Sequence, residues 1–146
     1  MTPGQLDAAL VRRHLLAMDE AIGVLRPHQG KPIAALTADR EALWVVERGL
    51  QLCAQNALDV ASHLAASAGR DVPDYGAAID RLGELGILPA AFVARFRGIA
   101  GFRNVIVHGY LDVDPARVHQ LLNERLGDFA EFARHVSAFV DSRETR

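Results

Sequence analysis

The segment FRNVIVHGY, residues Phe102 to Tyr110, sets Arg103, Asn104, His108 and Tyr110 among apolar neighbours. The ordinary pKa of a histidine lies nearest neutrality of all side chains, so His108 can take or give a proton at physiological pH. Arg103 supplies a permanent positive charge and a forked set of donors that matches phosphate oxygens. Asn104, one turn before His108, can orient the imidazole or hold a substrate hydroxyl. Together these groups suit cleavage of an RNA phosphodiester. The ribose 2′-hydroxyl attacks the adjacent phosphorus, a histidine removes its proton, and an arginine stabilises the charge growing on the phosphoryl oxygens. Such a reaction needs no metal, because the substrate brings its own nucleophile. The same residue types leave a plainer account open, in which Arg103 and His108 are structural hydrogen-bonding groups and Tyr110 packs its ring and wets its hydroxyl.

Helix geometry constrains the choice. On an uninterrupted helix turning about 100° per residue, Asn104 and His108 stand about 40° apart, but Arg103 and His108 stand about 140° apart. Those two cannot easily share one target. Either the helix breaks within VIVHGY, as Gly109 permits, or a symmetric dimer brings the same segment from two chains to one cleft.

The elements that must position this segment are helical. Val11, Leu15, Met18, Ile22 and Leu25 mark one face of a first helix from about Pro3 to Leu25, ended by RPHQGKP. Thr37 is the expected cap of a long second helix, with Glu41 in its first turns and a stripe of Leu43, Val46, Leu50, Cys53, Ala57, Val60 and Leu64. Ile79, Leu82 and Leu85 give a short third helix stopped at Gly86, and Pro89 starts a fourth that runs into the motif. Asp114 and Pro115 open a final helix whose face is Val118, Leu122, Leu126, Phe129, Ala133, Val136 and Val140. The fold class is therefore all-α, an antiparallel bundle of about five helices in a single domain over residues 1–146, with a core of about 5–140 and a frayed tail at 141–146.

Composition narrows the function classes. A net charge of −2 and a pI near 6.3 give no global basic footprint. The distribution is uneven, however: no acidic residue lies between Glu84 and Asp112, and Arg95, Arg97, Arg103 and His108 all fall in that window. Arg95 and Arg97 either guide RNA toward the motif or solvate a helix face. The lone Cys53 excludes an intramolecular disulfide and sits on the core stripe. His14, His28, His63, His119 and His135 lack the helical pairing or carboxylate partner of a metal site, so neither metal nor cofactor is expected. No apolar run reaches membrane-spanning length and no leader opens the chain, which points to the cytoplasm. Trp44 is assigned to the core or a dimer interface rather than to base stacking. Glu47 and Asp59, 12 residues apart on the long helix, have no chemistry in this account and are taken as solvated or cap-paired carboxylates.

The motif RNVIVHGY resembles the signature of the HepT-like branch of HEPN-domain proteins, toxins of bacterial and archaeal toxin–antitoxin pairs. Glu47–Leu64 is similar to that family's long helix, Val72–Leu88 to its following segment, and Gly109–Leu122 to its entry into the last helix. The resemblance implies a homodimer whose two Arg and His motifs meet in a composite cleft, with metal-independent cleavage of RNA. It makes His108 the proton-transfer residue, Arg103 the phosphate contact and Asn104 their support. It also implies an MntA-like nucleotidyltransferase antitoxin that attaches AMP to Tyr110, where added bulk and negative charge would compete with RNA phosphates. Set against this is a non-catalytic helical module that binds nucleotide as the regulatory partner of a nucleotidyltransferase, or a bundle whose Arg and His only knit a dimer interface.

Overall fold

The computed structural model describes residues 5–109 and 113–144, and among them there is helix and no strand. The first helix, α1 (Ala8–Leu25), starts later than the expected Pro3, because Asp7 is its cap and accepts from the Leu10 N–H. A single 3-10 turn, Arg26–His28, follows, and then a short helix that the periodicity did not announce, α2 (Ile33–Ala38). Thr37 belongs to α2, where its hydroxyl donates back to the Ile33 and Ala34 carbonyls. The cap of α3 (Arg40–Ser67) is instead Asp39, whose carboxylate accepts from the Ala42 N–H.

The apolar stripe makes α3 the axis of the molecule. Val46, Leu50, Cys53, Ala57, Val60 and Leu64 are all buried on it, and α1 and α2 pack against it. Between these buried positions the stripe carries Gly49 and Ala54, which let α1 come close. A Cβ at Gly49 would sit 2.6 Å from Leu25 Cδ2. Burial pushes the Cys53 thiol up to about 12, so it stays protonated. Trp44, 59% exposed, faces away from this core, which removes the core half of the core-or-interface expectation.

The remaining helices hold the motif against α3. Asp74 caps α4 (Tyr75–Glu84), and after the turn at Gly86 come α5 (Ala90–Phe96) and α6 (Ile99–His108). The helix expected to run unbroken from Pro89 into the motif divides at Arg97 and Gly98. Gly98 keeps right-handed torsions there, so the chain bends without reversing. Asp114 and Pro115 open α7 (Pro115–Gln120) as expected; a π turn, Leu121–Arg125, then joins it to α8 (Leu126–Glu144). The segment 141–144 is helical rather than frayed, and Arg12 pairs with both Asp141 and Glu144. Phe92 and Phe96 stack at 4.9 Å, and Phe96 stacks on Phe132 at 5.2 Å, which fixes α5 against α8. In α6, Phe102 and Ile106 are buried one turn apart, each stabilising by about 1.5–3 kcal/mol.

Gly49 supplies a direct test of the α1–α3 contact. Alanine improves helix propensity by about 1 kcal/mol, but the overpacking against the fully buried Leu25 costs about 1–3 kcal/mol. Gly49→Ala should lower the urea midpoint at unchanged slope; an equal or higher midpoint would show that α1 can retreat freely.

Candidate functional site

Arg103 and His108 leave α6 in different directions. The helix continues through His108 and ends only at Gly109, whose N–H donates to the Val105 carbonyl at 2.7 Å. A Cβ at Gly109 would lie 2.7 Å from that same oxygen, so this termination requires glycine. The break therefore comes after His108 and does not turn the imidazole toward Arg103. His108 is exposed and makes no hydrogen bond or ion pair among the described residues. Tyr110 lies outside the described residues.

Arg103 points the other way, half-buried, into a polar network shared by three helices. Its Nε donates to Gln55 Oε1 of α3 at 2.8 Å, one Nη donates to Asn104 Oδ1 at 3.1 Å, and the guanidinium lies 5.1 Å from the ring centre of Tyr75 at the start of α4. Gln55 Nε2 in turn donates to Asp59 Oδ1 at 2.8 Å and to the Tyr75 hydroxyl oxygen at 3.2 Å, and that hydroxyl donates to Asp59 at 3.3 Å. The Asp59 carboxylate thus orients the Gln55 amide so that its oxygen faces Arg103. Among the described residues, three of the five guanidinium N–H groups remain for another acceptor. Asn104 is drawn to Arg103 and has no bond to His108.

This network adds to the account of Asp59, which is partly exposed, is no cap, and accepts hydrogen bonds from Gln55 and Tyr75. Gln55 and Tyr75 had not been singled out at all. The i, i+4 spacing of Gln55 and Asp59 within an apolar stripe is the signal that could have found them. Glu47, two turns earlier on α3, is half-buried, and desolvation pushes its carboxyl pKa up.

The other basic residues of the acid-free window are neutralised from elsewhere in the chain. Arg95 pairs with Asp128 at 3.2 Å and Glu131 at 2.9 Å, and Arg97 pairs with Asp80 at 2.9 Å. The hydrogen bond from Arg97 holds Asp80 below the usual carboxylate range. Arg103 differs from both because its direct acceptors are neutral amides, so its charge is not cancelled at contact. Among the described residues no three His, Cys, Asp or Glu side chains converge as metal ligands. His135 does have a carboxylate one turn away, Glu131 at 3.3 Å, contrary to expectation. His14 bonds Asn56, His63 the Asp7 N–H, and His119 the Lys31 carbonyl. No helix among the described residues is long and apolar enough to cross a membrane.

Residues 18–136 match the family of HepT-like ribonucleases, which is most of the chain. The chain belongs to that family. A curated relative, the tRNA nuclease HepT of Aphanizomenon flos-aquae, is 28% identical over 102 residues, spanning 68% of the HepT-like chain described above and 69% of the relative. Among solved structures, a tri-AMPylated HEPN toxin of Shewanella oneidensis in complex with an MNT antitoxin has a TM-score of 0.78 at 18% identity, covering 88% of this chain and 97% of that one. YutE of Bacillus subtilis, a cytosolic protein of unknown function, gives a TM-score of 0.83 at 12% identity, with 97% and 95% covered. At such identities the structural likeness is one of fold, and it makes this HepT-like bundle a HEPN fold.

Two substitutions test the network. Gln55→Ala should expose the Arg103 Nε–H to rapid solvent exchange by NMR and cost about 1 kcal/mol of stability; a signal as protected as in the wild type would mean that Gln55 does not hold it. For Glu47 the sign follows from its raised pKa. The folded state holds this proton more tightly than the unfolded chain, so stability is fullest below the ordinary carboxylate range and declines as pH climbs through the raised value. Glu47→Gln should lack that decline and melt slightly higher at neutral pH, and a lower melting temperature would refute the desolvation account.

Proposed function

We propose that this HepT-like chain is the toxin of a toxin–antitoxin pair and a metal-independent RNA endonuclease, active as a homodimer. The observation that carries the dimer is the divergence of Arg103 and His108 on an unbroken α6. One copy offers an arginine anchored inward and an imidazole with no partner among the described residues, and a second copy related by two-fold symmetry doubles both groups in one cleft. The family membership and the nuclease activity named for the Aphanizomenon relative support the reaction class.

In this mechanism Arg103, held by Gln55 and Tyr75, turns its spare N–H groups to the phosphoryl oxygens, and Asn104 fixes its second edge. His108 removes the proton from the ribose 2′-oxygen, which bonds to phosphorus as the P–O5′ bond breaks. The departing 5′-oxygen takes a proton from water and His108 returns its own to solvent, so the products are a 2′,3′-cyclic phosphate and a 5′-hydroxyl. Regulation falls to an MntA-like nucleotidyltransferase antitoxin that transfers AMP from ATP to the Tyr110 hydroxyl, with pyrophosphate as the leaving group. The AMPylated toxin–antitoxin complex named for the Shewanella protein supports that assignment. Each added AMP brings a phosphate anion to the neighbourhood of Arg103 and His108, where it competes with RNA.

His108→Ala should keep the fold and the dimer while cleavage falls by about 10²–10⁴-fold, assayed with EDTA present and product ends analysed for cyclic phosphate. Undiminished cleavage by that variant would remove His108 from the mechanism, and nucleotide binding by the wild type with no cleavage would favour the regulatory-module account. Tyr110→Phe should still cleave RNA but no longer accept AMP; loss of cleavage would make the hydroxyl part of the reaction.

A further inference from the structure

A cleft of about 180 Å³ opens where α5 passes into α6 and faces the π turn. Its walls include Arg95, Arg117, Arg125, Gln120 and Gly98, with Asp128 as their acid. The charges do not cancel. Arg95 is taken up by Asp128 at 3.2 Å and by Glu131 at 2.9 Å, and Asp128 also reaches Arg125 at 3.4 Å, while the Arg117 side chain is exposed and makes no ion pair or hydrogen bond among the described residues, so three guanidinium groups face two carboxylates. The pocket is therefore cationic in a chain whose net charge is −2.

Its construction is irregular at the point that matters. On a regular helix, Arg117, Leu121 and Arg125 would each step about 40° further round the axis. The π turn Leu121–Arg125 lowers the rotation per residue and keeps Leu121 and Arg125 on the cleft side. Such turns are rare and gather at functional sites. From the cleft, an exposed side of α6 runs through Gly98, Gly101, Asn104 and Val105 to His108, with nothing within 4 Å of where a Cβ would stand at either glycine. At about 1.5 Å per residue, the cleft lies about 15 Å along the helix from His108.

We propose that this cleft binds a backbone phosphate of the same RNA strand, a few nucleotides from the phosphate that reacts at His108. The proposal rests on the ribonuclease reading above and adds to it a second anchoring point. Arg117 and Arg125 hold the anion, Gln120 adds a neutral donor, and Arg95, tied to Asp128 and Glu131, lines the wall. Arg97, tied to Asp80, does not line the cleft and takes no part, which separates the two arginines that the sequence had treated alike.

The test uses the His108→Ala chain, in which cleavage is expected to be slow against the titration, with a labelled ten-nucleotide oligoribonucleotide and a dinucleotide as probes, titrated over a salt series. Adding Arg117→Ala, or Arg117→Ala with Arg125→Ala, should weaken decanucleotide binding severalfold and flatten the log–log salt slope by about 0.7 per lost phosphate contact. The advantage of the decanucleotide over the dinucleotide should shrink with it. A slope equal to that of the parent overturns the proposal. So does loss of inorganic phosphate or AMP binding with decanucleotide affinity intact, since the cleft would then serve a free nucleotide. Arg125 is tied to Asp128, so if the double variant unfolds, the single Arg117→Ala variant decides the matter alone. Cleavage by the wild type with an unchanged slope in the variants sinks the second site and spares the ribonuclease. Flattened slopes with no cleavage by the wild type do the reverse.

Discussion

A helix that turns about 100° per residue cannot aim two side chains five positions apart at one point, and α6 has no freedom to evade this rule. Phe102 and Ile106 are buried beneath it, and Gly109 closes it only after His108. The divergence of Arg103 and His108 is thus a product of packing, because bending the helix to bring them together would pull an aromatic anchor out of the core. The proposed dimer rests on this divergence, since two-fold symmetry is one way for both groups to face a common cleft.

Charge is distributed with the same economy. Arg95 and Arg97 find carboxylates across the bundle, where exposed pairs of this kind contribute little stability but fix side-chain directions. Arg103 receives amide oxygens and an aromatic face instead, with Asp59 one hydrogen bond further away. A carboxylate in direct contact would have occupied the guanidinium fork and cancelled its field. Neutral acceptors hold the group still while leaving it attractive to an anion, which is the electrostatic preorganisation that phosphoryl chemistry rewards.

Much of this was legible in the residues. The three-and-four spacing of the α3 stripe, the Asp114–Pro115 start and the Gly86 stop all register in the chain because each is a local rule. The misses have non-local or subtle causes. Asp39 displaced Thr37 as a cap because a short helix formed just before it, and the bend at Gly98 preserves helical torsions that a periodicity scan reads as continuity. The Gln55–Asp59–Tyr75 network joins α3 to α4 at a distance in sequence that no motif spans. The outward face of Trp44 and the partners of Arg95 and Arg97 depended on which helices become neighbours, and that is decided only in three dimensions.

The burial of Cys53 has a consequence for how this chain meets oxidants. Its thiol is fully enclosed on α3 and held protonated by desolvation, with a pKa of about 12, so the thiolate that peroxides and disulfides attack scarcely exists in the native state. No other cysteine stands in the sequence, so a mixed disulfide or a sulfenic acid would have to form at this enclosed position. Oxidants of this kind therefore find little thiolate to attack while α3 stays packed.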